Sequence, residues 1–347
     1  MGQNPRPSKF WLIISRDALL LSACAIVVAV VGIWGPSFTG TTSVFRALSA
    51  VADGDLPVAN SVMASGANAS VQTQLEEIAK RFDAPPVNAR ADSVWRLIPG
   101  VNGVRLNMQQ TLKNPNATPL VFDQIPPAIS LNDFVAQPIY RGNPLKRQMA
   151  LMINVAWGSE YLNPILHILK QNHVKATFFL DGSWTTKNAA MARQIENTGM
   201  ELGNHAFNHP NMSRLSRTAM ISQIQKTNAA IEAATGVKPT LFAPPSGDFN
   251  DMVVRVAAGL NMRTILWTLD TVDWRRPSPQ VILRRIVNKR TPGALVLMHP
   301  TAPTVAALPE LIQSLRRDGY QLVTVSTLLS PLRPVPKTIA EALSTHR

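Results

Sequence analysis

The sequence predicts an α/β domain built as a distorted, incomplete (β/α)7 barrel, preceded by a transmembrane anchor and a small accessory module. Three observations lead there. From about Arg147 onward, short apolar runs alternate with helical patterns, the signature of a parallel sheet with right-handed crossovers. Three of the six histidines fall just after such runs, where a barrel gathers its polar groups. Near the N-terminus lies an uncharged apolar stretch of a length that suits a bilayer.

That stretch runs from Ala18 to Trp34, seventeen residues, at the short end of what crosses a hydrocarbon core. Arg6, Lys9 and Arg16 precede it and the next basic residue is Arg46, so the positive-inside rule puts the N-terminus in the cytoplasm and the rest outside. Two other readings stay open. Cleavage as a signal peptide lacks a good small-residue site, because Gly35-Pro36-Ser37 follows directly. Leu21-Ser22-Ala23-Cys24 resembles a lipobox, with little apolar stretch before it. Cys24 is the single cysteine, which excludes an intrachain disulfide.

The reading of the 347 residues is an anchor over 1–35, a flexible linker over 36–70 rich in Gly, Ser, Thr, Ala and Asn, and an accessory module over 71–146. A catalytic-type domain over 147–330 and a tail over 331–347 complete it. In the module, Val71, Leu75, Ile78 and Phe82 share a helical face, and Val104, Leu106 and Met108 alternate as a strand. The formal charge of +13 suits anionic lipid or an anionic wall. There is no clustered basic run or zinc-finger spacing, and no nucleic acid partner is expected.

Seven strands are expected in the large domain: Met149–Val155, Ala176–Leu180, Met200–Gly203, Thr240–Phe242, Arg263–Trp267, Ala294–Met298 and Gln321–Val325. The residues that need a chemical explanation follow them: Asn154-Val155-Ala156-Trp157-Gly158, His205-Ala206-Phe207-Asn208-His209, Ala243-Pro244-Pro245-Ser246-Gly247, Asp270-Thr271-Val272-Asp273-Trp274 and Leu297-Met298-His299. Each has a plain structural reading beside the chemical one. His299 suits a hydrogen-bonded core position, Asp273 a helix entry, Trp157 and Trp274 a barrel cap, and Ala243-Pro244-Pro245 a rigid turn.

Taken in order, with Lys175-Ala176-Thr177-Phe178-Phe179 on the second strand, this series resembles the polysaccharide deacetylase family, the NodB-homology domain of carbohydrate esterase family 4. The resemblance covers about residues 147–329, and the Asn154–Gly158 form is most similar to the sporulation-associated branch. It implies hydrolysis of N-acetyl groups on amino-sugar polymers of the cell wall, with a divalent metal, usually zinc. In the family's first motif one Asp is the general base and the next a metal ligand. Here those places hold Asn154 and Val155, and neither side chain can do that work. His205 and His209 match the two metal-binding histidines. Pro244, Pro245 and Gly247 match the groove loop, with Ala243 in place of its arginine. Asp273 and Trp274 match the residue that tunes the catalytic acid and an aromatic wall, and His299 matches that acid; Trp157 is a second groove aromatic. Asp181 and Glu160 are the first candidates for a substitute carboxylate, with Asp248 and Asp270 behind them. Two functions follow: a divergent, weak N-deacetylase, or an inactive glycan-binding protein on the outer membrane face.

Overall fold

In the computed structural model, residues 57–344 are described, apart from residue 135. The expected membrane span over 18–34 and Cys24 lie outside them. Among the described residues, no helix is long and apolar enough to cross a membrane. The stretch read as linker ends in structure: a helix begins at Pro57 and runs to Phe82.

The large domain is a curled parallel sheet. Its strands are β1 (Gln148–Val155), β2 (Thr177–Leu180), β3 (Glu201–Asn204), β4 (Leu241–Phe242), β5 (Arg263–Thr264), β6 (Leu269–Asp270), β7 (Leu295–Met298) and β8 (Gln321–Val323). The hydrogen-bonded order is β6-β7-β1-β2-β3-β4-β5, and β8 pairs with the first half of β1. A segment from the N-terminal side links the end of β5 to the start of β7. Ile139 bridges Ile265 and Arg141 bridges Ala294, with Leu266 N donating to Ile139 O at 2.8 Å. The barrel is therefore incomplete, as expected, but it has eight strands rather than seven. The extra one, β6, sets Leu269 beside a charged Asp270, so no apolar run marks it.

Strand β1 is buried along its whole length, as a central parallel strand with both faces covered should be. The period of two sorts its side chains between layers. Leu151, Ile153 and Val155 join the core beneath the helices, whereas Ala150 and Met152 join the core inside the sheet's curve. Asn154 continues the inward set, at the strand's C-terminal end.

From Val71 onward the chain is one compact unit, and packing crosses the boundaries drawn at 146 and 330. Ile139 is buried in the inner core of the sheet with Met152 and Leu297. Leu75 and Ile78 of the long helix pack with Leu106, Leu120 and Ala342, the last from the helix Ile339–Ser344. The C-terminal segment thus completes the small core that the accessory residues could not close alone.

Candidate active site

A cavity of about 400 Å³ opens at the C-terminal ends of the strands. Asn154, Trp157, His205, His209, Trp274 and His299 all line it. So do Ala156, Ser246, Trp267, Asp270 and Leu297.

One wall is an acid–imidazole pair whose acid is fully buried. His299 Nδ1 lies 2.8 Å from Asp273 Oδ1, and the His299 backbone N–H donates to Asp273 Oδ2 at 2.6 Å. Thr304 Oγ1 donates to the same Oδ2 at 2.6 Å. A carboxylate only accepts, so Nδ1 carries the proton and Nε2 is the ring atom left to act on an occupant. The backbone that presents Asp273 is strained. Val272 is β-branched yet left-handed at φ 53°, held by a 2.7 Å bond from its N–H to Asp270 Oδ1. Trp157 lies parallel to His299, with ring centroids 5.9 Å apart and 5° between planes.

The opposite wall holds His205 and His209, with ring centroids 5.2 Å apart. His205 is fully buried, and its Nδ1 donates to the Ala243 carbonyl at 2.8 Å. Burial first, and the neighbouring His209 second, push the His205 pKa down to about 3, so the ring is neutral with its lone pair on Nε2. Asn154 is 4% exposed, and its Oδ1 has no hydrogen-bond partner. Ala243, buried where the family pattern has arginine, offers a backbone acceptor but no side-chain donor.

The implied metal fails on the donor set. A catalytic zinc is usually held by three protein ligands. Val155 is packed in the helix-side core, and among the described residues no group of three His, Cys, Asp or Glu could hold a metal ion. Neither first-choice carboxylate repairs this. Asp181 caps the helix Gly182–Lys187, accepting from Trp184 N at 2.8 Å and Ser183 Oγ at 2.9 Å. Burial raises its pKa, and it is not part of the cavity wall. Glu160 is exposed in the first turn of the helix Ser159–Gln171, also off the wall. Asp248 is occupied by Ser213 N and Oγ, which leaves Asp270 as the candidate that reaches the cavity.

Pro244, Pro245 and Gly247 support the wall rather than form it. Gly247 is left-handed at φ 66°, and a Cβ there would meet Trp267 at 2.6 Å, so glycine is what lets the loop seat that indole. Trp267 and Ser246 were missed as site residues, although Trp267 ends the expected fifth strand and that position was itself the signal.

Comparison with known proteins agrees with this geometry. The polysaccharide deacetylase family model matches residues 141–265. The uncharacterized protein YlxY of Bacillus subtilis is 44% identical over 266 residues, 75% of this chain and 83% of the relative. A peptidoglycan-N-acetylglucosamine deacetylase of Bacillus cereus is 31% identical over 53% of this chain and 68% of its own length. The crystal structure of BA3943 from Bacillus anthracis, described as a CE4 family pseudoenzyme, superposes with a TM-score of 0.71 at 44% identity, covering 76% of this chain and 96% of that one. A mutant of BA3943 is described as having restored enzymatic activity. This chain belongs to the polysaccharide deacetylase family, carbohydrate esterase family 4.

Proposed function

We propose that the chain binds an amino-sugar polymer of the cell wall in this cavity and that its N-deacetylase activity is residual. The observation that carries the reading is the division of the site. The groups that would hold a sugar and donate a proton are in place, and those that would activate water are not. Three tryptophans line the cavity, and His299 is oriented by Asp273. Asn154 cannot take a proton from water near neutral pH, and loss of a general base commonly costs about 10²–10⁴-fold in rate. The substrate class is supported by relatives named as peptidoglycan deacetylases, and the residual activity by the neighbour described as a pseudoenzyme. The apolar run over 18–34, with Arg6, Lys9 and Arg16 before it, supports a single-pass anchor with the domain outside the cell.

The test uses the full chain in detergent. Insoluble peptidoglycan should retain it equally with and without a chelator, and Trp157→Ala should weaken retention. Loss of retention on chelation, or none at all, would sink the binding reading. A second reading, slow hydrolysis, is favoured by the intact His299–Asp273 pair. Acetate release from N-acetylglucosamine oligomers with added zinc or cobalt, abolished in His299→Ala, would establish it.

A further inference from the structure

The charge of the cavity runs against that of the chain. The chain carries a formal +13, yet no lysine or arginine lines the cavity among the described residues. The carboxylate on its wall is Asp270, and Asp273 stands directly behind His299. The two positive elements that the family pattern would bring to a carbonyl, a metal and a groove arginine, meet Val155 and Ala243 instead.

Three of the lining groups present acceptors to an occupant. His205 spends its ring hydrogen on the Ala243 carbonyl, so Nε2 is an acceptor. Asp270 uses Oδ1 to hold Val272 N, which leaves Oδ2 for an occupant. Asn154 lines the cavity, is nine-tenths buried, and has a side-chain oxygen with no partner. Trp267 adds an aromatic face that attracts cations as well as sugar rings, whereas the Arg275 guanidinium already lies 4.7 Å from the Trp274 ring centroid and Trp157 is stacked on His299. An N-acetyl group brings a carbonyl acceptor to this floor. A free amine, protonated, brings three donors and a positive charge.

We infer that the cavity selects the de-N-acetylated form of the polymer, with a glucosamine-type ammonium seated among Asp270, His205 Nε2 and the Trp267 indole. The inference rests on the proposal that an amino-sugar polymer occupies the cavity, and it fixes which form. The chain then acts after an N-deacetylation step carried out elsewhere, as a reader of its product.

The experiment compares a fully deacetylated β-1,4-glucosamine oligomer with the same oligomer after chemical N-acetylation. Each is titrated calorimetrically into the full chain in detergent at mildly acidic pH. The amine form should bind about tenfold tighter or more, the scale of one charge-assisted hydrogen bond. Asp270→Asn keeps an acceptor for Val272 N, and it should lower affinity for the amine form about tenfold and so remove the preference. A chain of +13 repels a polycation elsewhere on its surface, so binding of the amine form reports the cavity. Equal affinities, or tighter binding of the acetylated oligomer, overturn this inference and leave the proposed function standing. Binding of neither, with no retention on wall polymer, overturns both. Should Asp270→Asn fold poorly, the two oligomers on the unaltered chain decide the matter.

Discussion

On one wall of the cavity, Asp273 is fully buried and both its oxygens are engaged, by His299 twice and by Thr304 once. On the other, Asn154 is almost as buried, yet its Oδ1 meets no donor. Both residues sit at strand ends of one sheet. The difference lies in what surrounds them: the end of β7 and the helix Ala302–Arg317 supply donors to Asp273, while nothing among the described residues donates to Asn154 Oδ1. A buried polar group with partners helps to specify its surroundings, and one without them costs free energy. The first wall still has the form of a working site. The second keeps the position of one without its chemistry.

The largest effect should come from rebuilding the second wall. Asn154→Asp, Val155→Asp and Ala243→Arg together restore the base, the third ligand and the groove cation of the family pattern. Metal-dependent acetate release from N-acetylglucosamine oligomers should rise about 10²-fold or more over the unaltered chain. Zinc should also raise the melting temperature of the variant and not that of the parent, because only the variant offers three ligands. A variant that binds zinc but releases no acetate would show that the defect extends beyond these residues. Next comes the first wall. Asp273→Ala removes the acceptor of the His299 ring and backbone N–H groups, while the Thr304 hydroxyl keeps Thr301 Oγ1, and should cost about 2 kcal/mol in chemical denaturation.

A smaller effect follows from His205. Its ordinary pKa of 6.5 falls to about 3 in the folded chain, chiefly through burial. Below 6.5 the unfolded chain takes up a proton that the folded chain refuses, so stability falls as the pH drops from about 6.5 toward 3. In metal-free buffer, His205→Gln should flatten the stability profile in that window. An unchanged slope would mean that the ring is protonated in the fold.

The strands and the order of their polar ends were legible because parallel strands buried on both faces read as plain apolar runs, and the site residues follow them directly. Strand β6 was not, since Leu269 beside a charged Asp270 makes no apolar run. The role of position 243 was invisible for another reason: the sequence shows alanine, while the group that orients His205 is the backbone carbonyl, which every residue has. Asp181 is a first candidate because it follows the second strand, but a residue just after a strand can equally cap the next helix, and here it does. Tail packing was hidden because Ile339 and Ala342 meet Leu75 and Leu106 across most of the chain.

The smallest expected effect tests the contrast between the walls most directly. If Asn154 Oδ1 is unsatisfied, its desolvation is already a cost to the fold, and removing the amide should relieve it. Asn154→Leu has nearly the same volume and the inward neighbours Ala150 and Met152 are apolar. Its stability should therefore lie within about 0.5 kcal/mol of the parent, or above it. Replacing a residue that is 4% exposed and well bonded would be expected to cost several times more. Chemical denaturation of Asn154→Leu beside Asp273→Ala makes the comparison on one scale. Similar losses for both would mean that Asn154 is held by a partner, such as an ordered water, and that the second wall is maintained as a polar site. A near-zero cost paired with loss of peptidoglycan retention would separate the two uses of the residue, idle in the fold and engaged only when a ligand donates to it.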